Sequence, residues 1–306
     1  ALFGFVPEDF IVKENNVYMK ITWESKIIKT APPFDSYEQI GGYGSGPGEY
    51  ANPAFLDIDN GHLFFSDNSN GFIKSVPLEG ARDEQFYSVG TGSGGARFSV
   101  HIPMMAVLNT KSPYLSVHSL ETETSQQLLE LDSRHEVPAR LGSESGDIHF
   151  SKTGELYCIP PSPYIIYKYK MITESDTPRV DLVDKFDMTT NSWCKTWTKS
   201  KYARYSNIED SDKKSDFRRD AYTRIRNFVL LEKNEKTYLL AELANTSLTD
   251  NSHDRVWQLL SSDGKNLKFY HGNLMLLSAY EDTLYMYNFG TDEGKPATID
   301  VYQFTD

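Results

Sequence analysis

Cysteine, long apolar runs and positive charge are what this 306-residue chain has least of. Cys158 and Cys194 are its only thiols, 36 residues apart in unlike surroundings. They offer no metal-ligand spacing and no disulfide framework, so two free or buried thiols are expected. No stretch approaches the roughly 20 apolar residues of a membrane-crossing helix. The opening Ala1–Asp9 lacks the basic and apolar regions of a signal peptide, and a removed leader would leave the same sequence. Basic residues number 31 against 43 acidic ones, a net charge of −12. Such a chain repels a phosphate backbone, which excludes nucleic acid as a partner. Nucleophile signatures are also missing: there is no Gly-x-Ser-x-Gly elbow and no cysteine in catalytic surroundings. Among so many carboxylates, spacing alone names no acid–base pair.

Aromatic residues are plentiful, with 19 Tyr, 17 Phe and 4 Trp, as stacked, half-buried sheets require. Strand-like alternation recurs at a near-constant interval. Candidate inner strands open near Phe10, Ala54, Phe98, Asp147, Arg226 and Asn273, at spacings of 44, 44, 49, 79 and 47 residues. Units of roughly 40 to 50 residues with about four strands each are the signature of propeller blades. Short turns such as Asn15-Asn16, Asn60-Gly61 and Thr153-Gly154 separate the first two strands of several units, where a hairpin needs positive φ. The expectation is a single all-β domain over residues 1–306: a six-bladed β-propeller of four-stranded antiparallel blades. The sixth unit has room for only three strands, so the N-terminal piece is expected to pair with it and close the ring. The long fourth interval implies an insertion between blades four and five, about 188–224; a seventh, poorly patterned unit is the alternative. Within it Ser215 could cap a short helix with Phe217, Ala221 and Ile225 on one face.

The run Gly44-Ser45-Gly46-Pro47-Gly48-Glu49-Tyr50 before Asn52-Pro53, then the alternation ending in Ser66-Asp67-Asn68, resembles a blade of the NHL-type propellers. Over Phe34–Lys74 it is most similar to six-bladed, TolB-like families of exported proteins in Gram-negative anaerobes. The resemblance implies a six-bladed ring, export to the periplasm or cell surface, and a lipid anchor upstream of this chain. It implies that Asp67 and Asn70 tie the turn between blade strands by side-chain to backbone hydrogen bonds. It carries over no catalytic residue.

Three features invite a chemical reading. Gly42, Gly44, Gly46 and Gly48 suggest a phosphate loop, but no Gly-Lys-Ser/Thr ending follows and no helix opens there, so the segment reads as a turn. His101 and His149 fall on inner strands of adjacent units, where they could face one channel. With Asp57 or Asp147 they could hold a divalent metal; the plainer reading is packing between sheets. Residues 193–226 carry ten basic and five acidic side chains, a local +5 that leaves −17 for the remainder. Trp193, Trp197, Arg218, Arg219 and Tyr222 there suit stacking on sugars and gripping carboxylates, against the plainer account of a covering loop paired to an acidic body. Two functions follow: a non-catalytic scaffold binding a glycan, peptide or protein through one propeller face, or a metal-assisted hydrolase or lyase working in the central channel. A structural subunit of an envelope assembly is a third.

Overall fold

The computed structural model describes residues 9–21, 24–46, 49–69, 71–79, 85–87, 97–109, 114–122, 124–130, 146–160, 163–173, 179–189, 194, 198–214, 217, 223–244, 255–272, 274–288 and 298–305. Alternation becomes sheet as anticipated: Pro53–Asp59 buries every second side chain, and the tight turns after it place Asn60 and Gly61 at positive φ. Six antiparallel sheets result, each adding its strands in sequence order from the inside outward. The innermost strands are Phe10–Lys13, Pro53–Asp59, Phe98–His101, Asp147–Phe150, Arg224–Lys233 and Met275–Tyr280. These open blades I to VI, each within two residues of the position anticipated from sequence. Every innermost strand touches those of its two flanking blades, and Phe10–Lys13 touches Met275–Tyr280. The protein is a six-bladed β-propeller.

Its hydrophobic core is divided into six wedges, one between each pair of neighbouring blades. Leu63 and Phe65 of blade II meet Tyr18 and Ile27 of blade I, for example, and Leu243 and Phe228 of blade V meet Tyr157 and Ile166 of blade IV. The sixth wedge joins the chain's two ends: Phe10, Val12 and Met19 pack with Leu277 and Tyr285, the Phe10 and Tyr285 rings lying 5.9 Å apart. Blades I to V have four strands, and blade VI has three among the described residues. The anticipated fourth strand of blade VI would use residues 1–8, which lie outside the described ones.

The glycine-rich segment is a connection, as its composition indicated. Gly42–Tyr43 pairs in parallel with Glu49–Tyr50. Gly44 has φ +153, and a β-carbon there would sit 2.0 Å from the Glu49 carboxylate, so only glycine fits. That carboxylate accepts from the Gly46 amide at 2.8 Å, and is thus wrapped by the loop's own backbone. Tyr50 is buried, donates to the Ile40 carbonyl and accepts from the Ile27 amide, which fastens the connection to blade I. Asp67 does bond to backbone, yet to the amides of Ala51 and Asn52 in this connection; Asn70 is outside the described residues.

The insertion departs from expectation in its helix. The described helix is Lys199–Ser206, capped by Thr198, whose hydroxyl accepts from the Lys201 amide. A further turn over 211–214 begins at Asp210, which accepts from the amides of Asp212 and Lys213. Phe217, which the sequence placed in a helix, is helical. Ile225 belongs to the strand Arg224–Lys233, and Ser215 and Ala221 are outside the described residues.

Candidate channel site

An innermost strand has a free edge, and its amides need acceptors. In this ring side chains of the preceding blade supply them. Asp9 accepts from Leu56 N; Asp57 accepts from Val100 N and Asp59 from Ile102 N, both at 2.7 Å. Ser99 accepts from Phe150 N at 3.0 Å and Asp147 from Phe228 N at 3.0 Å. At the last seam Glu242 accepts from Leu276 N at 2.8 Å, while Asn227 donates to the Leu276 carbonyl at 2.7 Å. The partners advance together, Asp57 to Val100 and Asp59 to Ile102, so neighbouring inner strands run the same way. Every connection from an outermost strand to the next innermost one therefore emerges on one face. This insertion face carries the glycine-rich segment and the connection between Asp187 and Arg224. The first hairpins of the blades, such as Asn60-Gly61, crowd the opposite face.

Between the inner strands lies a cavity of about 460 Å³. Near its insertion-face end Arg97 meets Asp147 at 2.9 Å and stacks on Phe55, its guanidinium 5.1 Å from the ring centroid. His149 Nε2 is 3.3 Å from the same Asp147 oxygen. Burial pushes the Asp147 carboxyl up, but the charges of Arg97 and His149 outweigh it and its pKa is lowered. Burial likewise acts to lower His149, and the charge and hydrogen bond of Asp147, with the charge of Asp57, raise it instead. Burial dominates at Asp57, which is raised, and at Asp9, which moves from 3.8 to about 6 despite Arg97 and two backbone amides. At the hairpin face Lys152 spans the channel, bonding Glu281 at 3.1 Å, while Lys13 and Lys152 both lie near the Tyr280 ring.

A pH dependence follows. Folded Asp9 keeps its proton to about pH 6, whereas an unfolded aspartate releases it near 3.8. The folded state binds the extra proton in that window, so stability falls as pH climbs through it. His149 acts in the same sense: its contribution is complete below an ordinary histidine pKa of about 6.5 and is lost as pH rises through its raised value. Asp147, lowered, contributes above 3.8 and fails as pH falls through its folded value. Melting temperature should therefore rise on acidification from about pH 7.5 to about pH 4, then drop. Asp9 would contribute about 2–3 kcal/mol of that rise, most of it below about pH 6. Asp9→Asn should flatten most of it; an unchanged profile in that variant would refute the assignment.

Sequence reading groups His101 and His149 with Asp57 or Asp147 about one channel. Asp57, Asp147 and His149 line one cavity with His101. Each of these two histidine rings lies against an aromatic ring of the next blade: His101 is 5.8 Å from Phe150 and His149 is 5.8 Å from Phe228. Among the described residues no group of three or more His, Cys, Asp or Glu has metal-holding geometry. Both thiols are free, Cys158 being buried and Cys194 partly so. Trp193, Trp197, Arg218, Arg219 and Tyr222 lie outside the described residues. Sequence reading passed over Asp9 and Arg97, and counted Arg226 among the basic residues of the insertion. A usable signal was present for the first, since Asp9-Phe10, Asp57-Ile58 and Asp147-Ile148 all place an aspartate before an apolar strand residue.

No known protein family matches the chain, and no curated protein is similar to it in sequence. Solved structures do match. An inferred exported protein of Bacteroides fragilis superposes with a TM-score of 0.60 at 12% identity, covering 91% of this chain and 78% of that one. A DUF4221-family member from Bacteroides vulgatus gives 0.58 at 11% identity, over 96% and 92%. A streptogramin B lyase gives 0.54 at 10% identity, over 98% and 83%. At these identities the likeness is one of fold, and one fold hosts many functions. No described helix is long and apolar enough to cross a membrane.

Proposed function

We propose that this chain is an exported recognition scaffold of the NHL/TolB-like type, binding a glycan, peptide or protein partner through its insertion face without transforming it. The observation that supports this most is the occupation of the channel carboxylates. Asp9, Asp57, Asp59, Asp147 and Glu242 each accept an amide of the next blade, so their geometry is that of fasteners and not of free bases. The insertion rises on the face where inner strands begin, and loops held by a rigid ring are where binding residues gather. Trp193, Trp197 and Tyr222 offer stacking surfaces, and Arg218 and Arg219 offer forks for carboxylate or sulfate. Likeness to an exported Bacteroides protein favours export, and an upstream lipid anchor belongs to the same reading.

Immobilised protein screened against glycan and peptide arrays tests it. A double variant, Arg218→Glu with Arg219→Glu, should lose the ligands that the parent retains. An identical ligand profile in parent and variant would return the insertion to mere covering.

The second reading, a metal-assisted hydrolase or lyase, is favoured by one observation: His149, Asp147 and Asp57 share the cavity with His101. Metal content of purified protein, with His101→Ala and His149→Ala as controls, separates the two. A stoichiometric divalent metal lost in both variants would favour the enzyme; a metal content indifferent to both would retire this centre.

A further inference from the structure

Three innermost strands carry a β-bulge at equivalent points, one residue of each dropping out of register with its partner strand. These are Phe55 in blade II, Arg226 in blade V and Leu277 in blade VI. Phe55 has φ +42, a costly conformation for an aromatic residue. Bulges re-aim side chains and gather beside functional sites. All three bulged residues line the channel cavity. Blades II and V are opposite in a ring of six, so Phe55, with Arg97 stacked on it, and Arg226 stand on opposite sides of the cavity that all three line.

What remains unused there is cationic. Asp9, Asp57 and Asp147 are occupied by backbone amides, and Glu242 by Leu276 N and by Arg255 at 2.5 Å. Arg226, exposed and within the field of Glu242, has no hydrogen bond or ion pair among the described residues. Arg97 uses one edge of its guanidinium on Asp147 and stays partly open. An acceptor-only ligand group is what two guanidinium forks are built to take.

We propose that the insertion-face end of the channel binds the carboxylate of a small acidic ligand, held between Arg226 and the Arg97–Phe55 stack. A cavity of about 460 Å³ suits a ligand of a few linked rings or residues. The inference rests on the recognition reading and gives it a ligand chemistry. A carboxylate of this size comes from an acidic sugar or from a peptide terminus, and the probes separate these sources.

Titration calorimetry of the intact chain would use glucuronate against glucose, and N-acetylalanine against its amide. One acid should bind and its neutral counterpart should not; which acid binds names the source. Arg226→Gln should weaken binding by about tenfold or more, as loss of a charge-assisted hydrogen bond does. Arg97→Gln should weaken it too, with thermal melting confirming a folded protein. Equal binding of acid and neutral counterpart, binding untouched in Arg226→Gln, or no binding of either acid would overturn the site. Conversion of a bound acid to product, followed by NMR, would leave the carboxylate site standing and defeat the non-catalytic reading.

Discussion

Asp147→Ala should be among the most damaging single changes in the molecule, costing about 3–4 kcal/mol. The side chain is 2% exposed and serves two blades. One oxygen receives the Arg97 guanidinium at 2.9 Å and the Ile148 amide at 2.9 Å; the other receives the Phe228 amide of blade V at 3.0 Å. Alanine takes the acceptor from the Ile148 amide, leaves the Phe228 amide only the Asn227 Oδ1 at 3.0 Å, and leaves Arg97 without its counter-ion. Arg97 is partly open to water, which moderates the loss. A domain of this size should melt lower by roughly 2–4 °C per kcal/mol, or about 6 to 16 °C in all. Asp147→Asn keeps an acceptor for Phe228 N while removing the charge, so it should recover a substantial part of the loss. Thermal melts of the two variants, with hydrogen exchange at the Phe228 amide, check the assignment. A cost in Asp147→Ala below about 1 kcal/mol, or an asparagine variant as unstable as the alanine one, would mean that the seam is held by packing alone.

The parts of this fold that were legible in sequence are those made by neighbours in the chain. Each blade is a run of hairpins, so its alternation and turn residues, such as Asn60-Gly61, lie within a few positions of one another. The repeat spacing then set the number of blades. What joins the blades is not local: Asp9 reaches Leu56 across 47 residues, Asp57 reaches Val100 across 43, and Asp147 reaches Phe228 across 81. An aspartate that caps a neighbouring strand edge looks like any other aspartate until the ring exists. The same is true of the bulges at Phe55 and Arg226, where one extra residue breaks the alternation without saying which strand lies opposite. The insertion was legible as an interruption, and Phe217 is helical as anticipated, but Ile225 lies in a strand and the helix capped by Thr198 had no place in the reading.

The buried pair Asp67–Lys74 carries the other large expected effect. The two occupy adjacent strands of blade II, with Lys74 opposite Phe65, two residues along from Asp67 on the same face. Asp67 is fully buried and Lys74 is 1% exposed, with Nζ and Oδ2 3.8 Å apart. Neither charge is held by the other alone. Asp67 accepts from the Asn52 and Ala51 amides, and Lys74 donates to the Glu49 carbonyl and lies 5.0 Å from the centroid of the Phe86 ring. Together they pin the glycine-rich connection against blade II. Asp67→Ala removes the counter-ion of a buried ammonium and takes the acceptor from two part-buried amides, and should cost about 3–5 kcal/mol. Lys74→Met strands the carboxylate, though its two amides still stabilise it, so the cost should be somewhat smaller. The double variant Asp67→Asn with Lys74→Met removes both charges, keeps an acceptor for the amides and fills the space. It should be markedly more stable than Asp67→Ala, because replacing a buried ion pair whole is far less damaging than breaking it. Denaturant melts of Asp67→Asn, Lys74→Met and their double variant, beside Asp67→Ala, decide the matter. Strictly additive losses would show that the two charges do not depend on each other, and that the connection is fastened by Tyr50 and the wrapped Glu49 carboxylate instead.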